Sequence, residues 1–120
     1  HDLSNIFLIT PQTSEERIRQ IDALTNAFIY MVSMDSTTGR TGDFTEKQLG
    51  YFDRIEQMKL KNPRLIGFGI SDSRTFSAAC QYAQGAIIGS AFIKALQQEG
   101  PLSKIIPQFV QRIRGKEMVK

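Results

Sequence analysis

The chain has 120 residues, 41% of them hydrophobic, and a formal charge of +3, which allows one domain with a modest core and gives little pull toward nucleic acid. A single cysteine, Cys80, excludes an internal disulfide and a cysteine zinc site, and a single histidine at position 1 leaves no Ser-His pair, no histidine base and no histidine metal cluster. No apolar run approaches the ~20 residues of a membrane span and no signal-peptide pattern opens the chain, so a cytoplasmic protein is expected.

Asn5 to Thr10 is short, apolar and β-prone, and predicts a strand buried on both faces. Pro11 ends it. Thr13 and Glu16 have capping-box spacing and open a helix with Ile18, Ile21 and Leu24 on one face. A second strand runs from Ala27 to Ser33. A polar loop over 34–42, rich in Gly and Thr, separates it from a helix capped by Asp43 and Glu46, with Leu49, Phe52, Ile55 and Met58 on one stripe. Asn62-Pro63 breaks that helix.

The third strand is Arg64 to Gly69. Its helix carries Phe76, Ala79, Cys80 and Ala83 at helical spacing, which predicts a buried, inert thiol at Cys80. A fourth strand, Gly85 to Ile88, leads into a helix from Ser90 to Gln97. After the Gly100-Pro101 stop, a last helix places Ile105, Ile106, Phe109, Val110 and Ile113 on its apolar positions, with Pro107 expected in its first turn. The basic cluster Arg112-Ile113-Arg114-Gly115-Lys116 suits that helix's C-terminal end.

Two junctions share one design. Gly67-Phe68-Gly69-Ile70-Ser71 and Gly85-Ala86-Ile87-Ile88-Gly89-Ser90-Ala91 each take a strand through glycine into a helix. Glycine lets backbone amides approach a bound group. Ser71 or Asp72 can cap the helix after the first junction while its leading amides stay open to an anion. At the second, Ser90 can be both a cap and a phosphate donor. The pair, at consecutive strand ends, points two sets of amides toward one phosphate.

Four strand–helix units of about thirty residues predict an α/β fold with a parallel sheet covered by helices. Two architectures fit: an open doubly wound sheet, or (βα)4, half of a (βα)8 barrel that takes ~250 residues when complete. A half barrel leaves its inner sheet face open, to be covered by a partner or by the missing half. Self-association is then expected through the inward-facing members of Phe7, Ile9, Phe28, Tyr30 and Ile66.

The residues Ile6-Phe7-Leu8-Ile9-Thr10-Pro11, Phe28-Ile29-Tyr30-Met31-Val32-Ser33 with Thr37-Thr38-Gly39, and the two glycine junctions resemble, in order and spacing, the C-terminal half of the tryptophan synthase alpha-subunit family. The resemblance implies strands five to eight of a (βα)8 TIM barrel, as a single half-barrel domain over residues 1–120. It also implies a lyase of tryptophan biosynthesis that cleaves indole-3-glycerol phosphate to indole and glyceraldehyde 3-phosphate, with no cofactor of its own. The partner so implied is a pyridoxal-phosphate-dependent beta subunit. By the same resemblance Gly39, Phe68, Gly69, Gly89 and Ser90 hold the substrate phosphate, Tyr30 lies at the substrate pocket, and Thr38 belongs to the loop that closes over the site. Ser36 and Thr37 stand where the family often has Gly and Val, and Met34 where it often has Arg.

The family's catalytic Glu and Asp belong to its N-terminal half, so this chain alone is expected to be inactive. The residues agree. A retro-aldol cleavage needs an acid at the indole ring and a base at the glycerol hydroxyl, whereas Asp35 and Asp72, the acids near strand ends, read as loop or cap residues. For individual positions plainer roles also fit: Tyr30 as a core tyrosine bonded to a carbonyl, Phe68 as filling for the barrel interior, Gly39 as a turn. An open-sheet signalling or binding module is the alternative of another class. It is disfavoured because Thr10-Pro11-Gln12 offers no acidic cluster at the end of the first strand.

Overall fold

A computed structural model describes residues 3–33 and 43–115. In chain order the elements are β1 Phe7–Ile9, α1 Glu15–Leu24, β2 Ile29–Val32, α2 Glu46–Gln57, β3 Arg64–Gly67, α3 Ser73–Tyr82, β4 Gly85–Ile87, α4 Ser90–Leu96 and α5 Leu102–Arg114. The four strands form one sheet in the order β1-β2-β3-β4. All three pairings are parallel, with Phe7 opposite Ile29, Ile29 opposite Arg64 and Leu65 opposite Gly85.

This order removes the doubly wound alternative. Such a sheet reverses its strand order at a switch point and carries helices on both faces. Here each strand pairs with the next, and the three connecting helices α1, α2 and α3 share one core with the sheet, as right-handed crossovers in a single direction require. Burial agrees. Ile9, Ile29, Met31 and Ile66 are sealed under Ile18 and Ile21 of α1, Phe52 and Ile55 of α2 and Ala79 of α3. The alternate residues Leu8, Tyr30 and Leu65 lie side by side in register on the other face. Leu8 there is 57% exposed.

Of the residues offered for the inward face, Tyr30 lies on it and three do not. Phe7, Ile9 and Ile66 pack toward the helices, while the open face is built from Leu8, Tyr30 and Leu65. The strands are also shorter than the apolar runs that announce them. Pairing stops where the neighbouring strand stops, and β3 ends at Gly67, before Phe68 and Gly69 turn away.

Helix starts follow hydrogen bonding more closely than residue type. α1 is capped by Ser14, whose side chain accepts from the Arg17 amide. Thr13 accepts instead from the Thr10 amide at 2.9 Å. α2 begins with a capping box between Thr45 and Gln48, with Asp43 and Glu46 outside that role. Leu24, expected on the buried face of α1, is 69% exposed, and Asp22 is buried in its place. Pro107 lies at the sixth position of α5 rather than in its first turn, so the Ser103 carbonyl has no helical donor. Ile105, Phe109 and Ile113 form the buried stripe of α5, leaving Ile106 and Val110 outside it. Cys80 is exposed on α3, not buried; partial desolvation still pushes its thiol up from the ordinary value.

Asp22 has a definite task. Its carboxylate accepts from the amides of Lys61 at 2.8 Å and Asn62 at 3.0 Å and from Asn62 Nδ2 at 2.7 Å, and Nδ2 also donates to the Asp22 carbonyl at 2.7 Å. This clamp fixes the turn between α2 and β3 against α1. Burial pushes the carboxyl up, but the hydrogen bonds from Lys61 and Asn62, aided by the Lys61 charge, outweigh it and leave Asp22 below its ordinary value. Its stabilisation is present above the unfolded-chain value of ~3.9 and is lost as pH falls through the lower folded value. Asp22→Ala strands these donors and should cost on the order of 3 kcal/mol at neutral pH. Urea unfolding should show the gap between wild type and variant narrowing below pH ~4; a gap independent of pH would contradict this role.

Candidate functional site

The open face of the sheet ends in the two glycine junctions. At the first, the chain leaves β3 through two consecutive left-handed residues, Phe68 at φ 69° and Gly69 at φ 83°. The second conformation is free to glycine, whereas the first costs a phenylalanine of order 1–3 kcal/mol and persists only where the surroundings hold it. One hold is Ser33, fully buried just past β2. Its amide donates to the Gly67 carbonyl at 3.1 Å, and its hydroxyl donates to the Phe68 carbonyl.

Tyr30, Gly67 and Phe68 come together. The Tyr30 ring lies across Gly67 and meets Phe68 edge-on, with ring centroids 6.2 Å apart at 71°. A Cβ at Gly67 would fall on that ring, 2.6 Å from Cε1. Burial pushes the Tyr30 hydroxyl above its ordinary value, and no carbonyl partner to it is seen among the described residues. The tyrosine that does bond a core carbonyl is Tyr51, which donates to Ile9 at 3.3 Å. Phe68 is 40% exposed and thus only half fills the interior side.

After the turn, Asp72 caps α3 and Thr75 completes a capping box. Asp72 Oδ1 accepts from the Thr75 amide at 2.9 Å, while Thr75 Oγ1 accepts from the amides of Ser71 at 3.0 Å and Asp72 at 3.1 Å. Hydrogen bonds from the Thr75 amide hold the Asp72 carboxyl below its usual range, against partial burial and with help from the Thr75 hydroxyl and the Arg74 charge. Of the helix's leading amides, that of Thr75 is taken by Asp72 Oδ1, and the amides of Ser71 and Asp72 just before the helix are committed to Thr75. The sequence signal was Asp-x-x-Thr, a capping box with threonine in the position usually held by Glu or Gln.

The second junction is built differently. Gly89 caps α4 without any side-chain bond, so Ser90 is the first helical residue and not a cap. Gly89 has φ −113°, which any residue can adopt. A Cβ there would meet nothing within 4 Å. Its lack of a side chain leaves space in front of α4 rather than permitting a special backbone turn. Gly67 pairs with Ile87, so Gly69 and Gly89 each stand two residues beyond a paired position, at the same end of adjacent strands. Thr38 and Gly39 lie outside the described residues.

Ser33 and Gln48 are the residues sequence reasoning missed. Gln48 Nε2 donates to the Ser33 carbonyl at 3.2 Å while its Oε1 accepts from the Thr45 amide at 2.8 Å. A serine closing an apolar strand run, followed by a Thr-x-x-Gln box after the intervening loop, was the available signal.

A parallel sheet whose strands follow chain order, with α1, α2 and α3 packed on one side and its glycine junctions at one end, has the arrangement of half a (βα)8 barrel. A match to the tryptophan synthase alpha chain family extends over residues 1–117, and the chain belongs to that family. It is 57% identical over 113 residues to the tryptophan synthase alpha chain of Flavobacterium psychrophilum, covering 94% of this chain and 44% of that protein. Among solved structures, a mutant tryptophan synthase alpha-subunit from Pyrococcus furiosus superposes with a TM-score of 0.74 at 27% identity, covering 93% of this chain and 45% of that one. The tryptophan synthase complex from the same organism gives a TM-score of 0.69 at 25% identity, over 94% of this chain and 44% of that one. The chain thus spans somewhat under half the length of the relatives it matches.

The requirement for glycine at position 67 comes from Tyr30. Gly67→Ala should destabilise the fold by about 1–3 kcal/mol through overpacking. In a Tyr30→Ala background the same change should be close to neutral. A double-mutant cycle read by denaturant unfolding measures the coupling, and additive effects would show that the ring is not the cause.

Proposed function

We propose that this chain is the phosphate-gripping half of a tryptophan synthase alpha subunit, a lyase that in complete form cleaves indole-3-glycerol phosphate to indole and glyceraldehyde 3-phosphate. The observation that carries this reading is the pairing of the turn at Phe68 and Gly69 with the start of α4 at Gly89 and Ser90, which no side chain caps, on neighbouring parallel strands. The Gly69 amide and the first amides of α4 are the donors; helix-end charge adds ~0.3–1 kcal/mol to their attraction for an anion. Tyr30 and Phe68 supply an apolar wall beside them, suited to the organic part of the substrate. Thr38 and Gly39 enter on family resemblance alone. The full subunit works without a cofactor and beside a beta subunit in the cytoplasm. No helix of the described residues is long and apolar enough to cross a membrane.

The chain by itself holds the phosphate and lacks the acid–base pair. Titration with glycerol 3-phosphate should move the amide resonances of Gly69, Ser90 and Ala91, with Ser71 nearly silent because Thr75 already holds it. Gly89→Val should abolish the response by filling the open space before α4. Silence at all three amides would remove the phosphate reading, as would an effect confined to Arg112 and Arg114. An assay for indole release from indole-3-glycerol phosphate should give no turnover with the chain alone; turnover like that of a complete enzyme would contradict the missing pair.

The open sheet face supports self-association of the isolated chain. Leu8, Tyr30 and Leu65 are joined there by the two edge strands, β1 and β4, which have no further strand partner among the described residues. Sedimentation across a concentration series should show a rising mass, which Leu8→Glu lowers. A monomer at every concentration would refute it.

A further inference from the structure

We propose that Ser33 is a positioning residue for the phosphate junction, aiming the Gly69 amide through the carbonyl of Phe68. The inference rests on the phosphate reading above and adds to it a residue that has no contact with the anion.

Every polar group of Ser33 is used, and the residue has no accessible surface. Its amide continues the β2–β3 pairing by donating to the Gly67 carbonyl at 3.1 Å. Its carbonyl accepts from Gln48 Nε2 at 3.2 Å. Only the hydroxyl reaches past the sheet, to the Phe68 oxygen. That oxygen belongs to the peptide whose nitrogen is Gly69. The peptide is trans, so its carbonyl and its N–H point in opposite directions. Gripping the oxygen from the β2 side therefore turns the Gly69 N–H away from β2.

The grip matters because this peptide can rotate. Gly69 tolerates either sign of φ, and Phe68 sits at φ 69°, a conformation it leaves readily unless held. Without the Ser33 hydroxyl, rotation of the 68–69 peptide can exchange its N–H for its carbonyl oxygen. A carbonyl oxygen facing a phosphate repels it. The hydroxyl thus selects the donor-forward state. Gln48 holds the same serine from its carbonyl side and supports the strand end without fixing which way the peptide faces.

The test uses the 120-residue chain with inorganic phosphate as probe, and compares Ser33→Ala, Ser33→Thr and Gln48→Ala with wild type. In Ser33→Ala the Phe68 Cα and Cβ shifts should leave the left-handed range and the Gly69 response to phosphate should vanish. The responses of Ser90 and Ala91 should remain, with affinity lowered about tenfold, one hydrogen bond to a charged oxygen. Ser33→Thr keeps the hydroxyl and should restore the Gly69 response even if it melts earlier. Gln48→Ala should melt earlier with affinity unchanged. Phosphate binding and a Gly69 response in Ser33→Ala equal to wild type would overturn the inference alone, as would equal loss of affinity in Gln48→Ala. If wild type itself shows no response at Gly69, Ser90 and Ala91, the phosphate reading falls and this inference with it.

Discussion

Ile9, Ile29, Met31 and Ile66 have no accessible surface, and the rest of the molecule depends on their burial. They are the helix-facing residues of three adjacent strands, and α1, α2 and α3 are held to the sheet by covering them. At roughly 25 cal/mol per Å² of apolar surface, each contributes about 2–3 kcal/mol. Since side chains alternate along a strand, sealing this layer fixes the register of the opposite one. Leu8, Tyr30 and Leu65 are thereby committed to the open face, and Gly67 to a place beneath a tyrosine ring. The two glycine junctions inherit their common end of the sheet from the same parallel register.

Apolar runs and helical spacing revealed the order of elements and the parallel sheet, because burial periodicity is a property of the chain itself. The choice between architectures was not legible from periodicity. Both contain the same units and differ only in which face each crossover covers, a long-range matter settled by the order β1-β2-β3-β4. The errors in detail have local causes. Thr13 and Asp43 had the residue types of caps, yet a cap needs an oxygen aimed at a particular amide, and Ser14 and Thr45 provide it. Cys80 sits beside the buried Ala79 on α3, and one helical step of about 100° separates core from solvent.

The candidate site was legible in a similar, partial way. Glycine spacing marked both junctions and the family resemblance gave them a purpose. What sequence could not supply was the difference between them. One glycine is needed for a left-handed backbone, the other leaves open space, and a third yields to a neighbour's ring. Thr75 satisfies the amides of Ser71 and Asp72 and so narrows the donors available at the first junction. Arg64 shows the same dependence on context at the opposite end of β3. It is a charged residue opening an apolar strand, buried with its guanidinium against Glu56 at 3.3 Å and the Tyr82 carbonyl at 3.4 Å.

Tyr30 and Gly67 also bear on how such a chain can change over generations. The glycine is required only while the ring lies over it, so the constraint at position 67 is lent by position 30. A lineage that first replaces Tyr30 with a smaller residue frees position 67 to acquire a side chain. Once that has happened, the ring no longer has a place to lie, and the tyrosine cannot return until the glycine does. Two substitutions open to the family in one order are closed in the other, which makes this contact a ratchet between separate strands of the sheet.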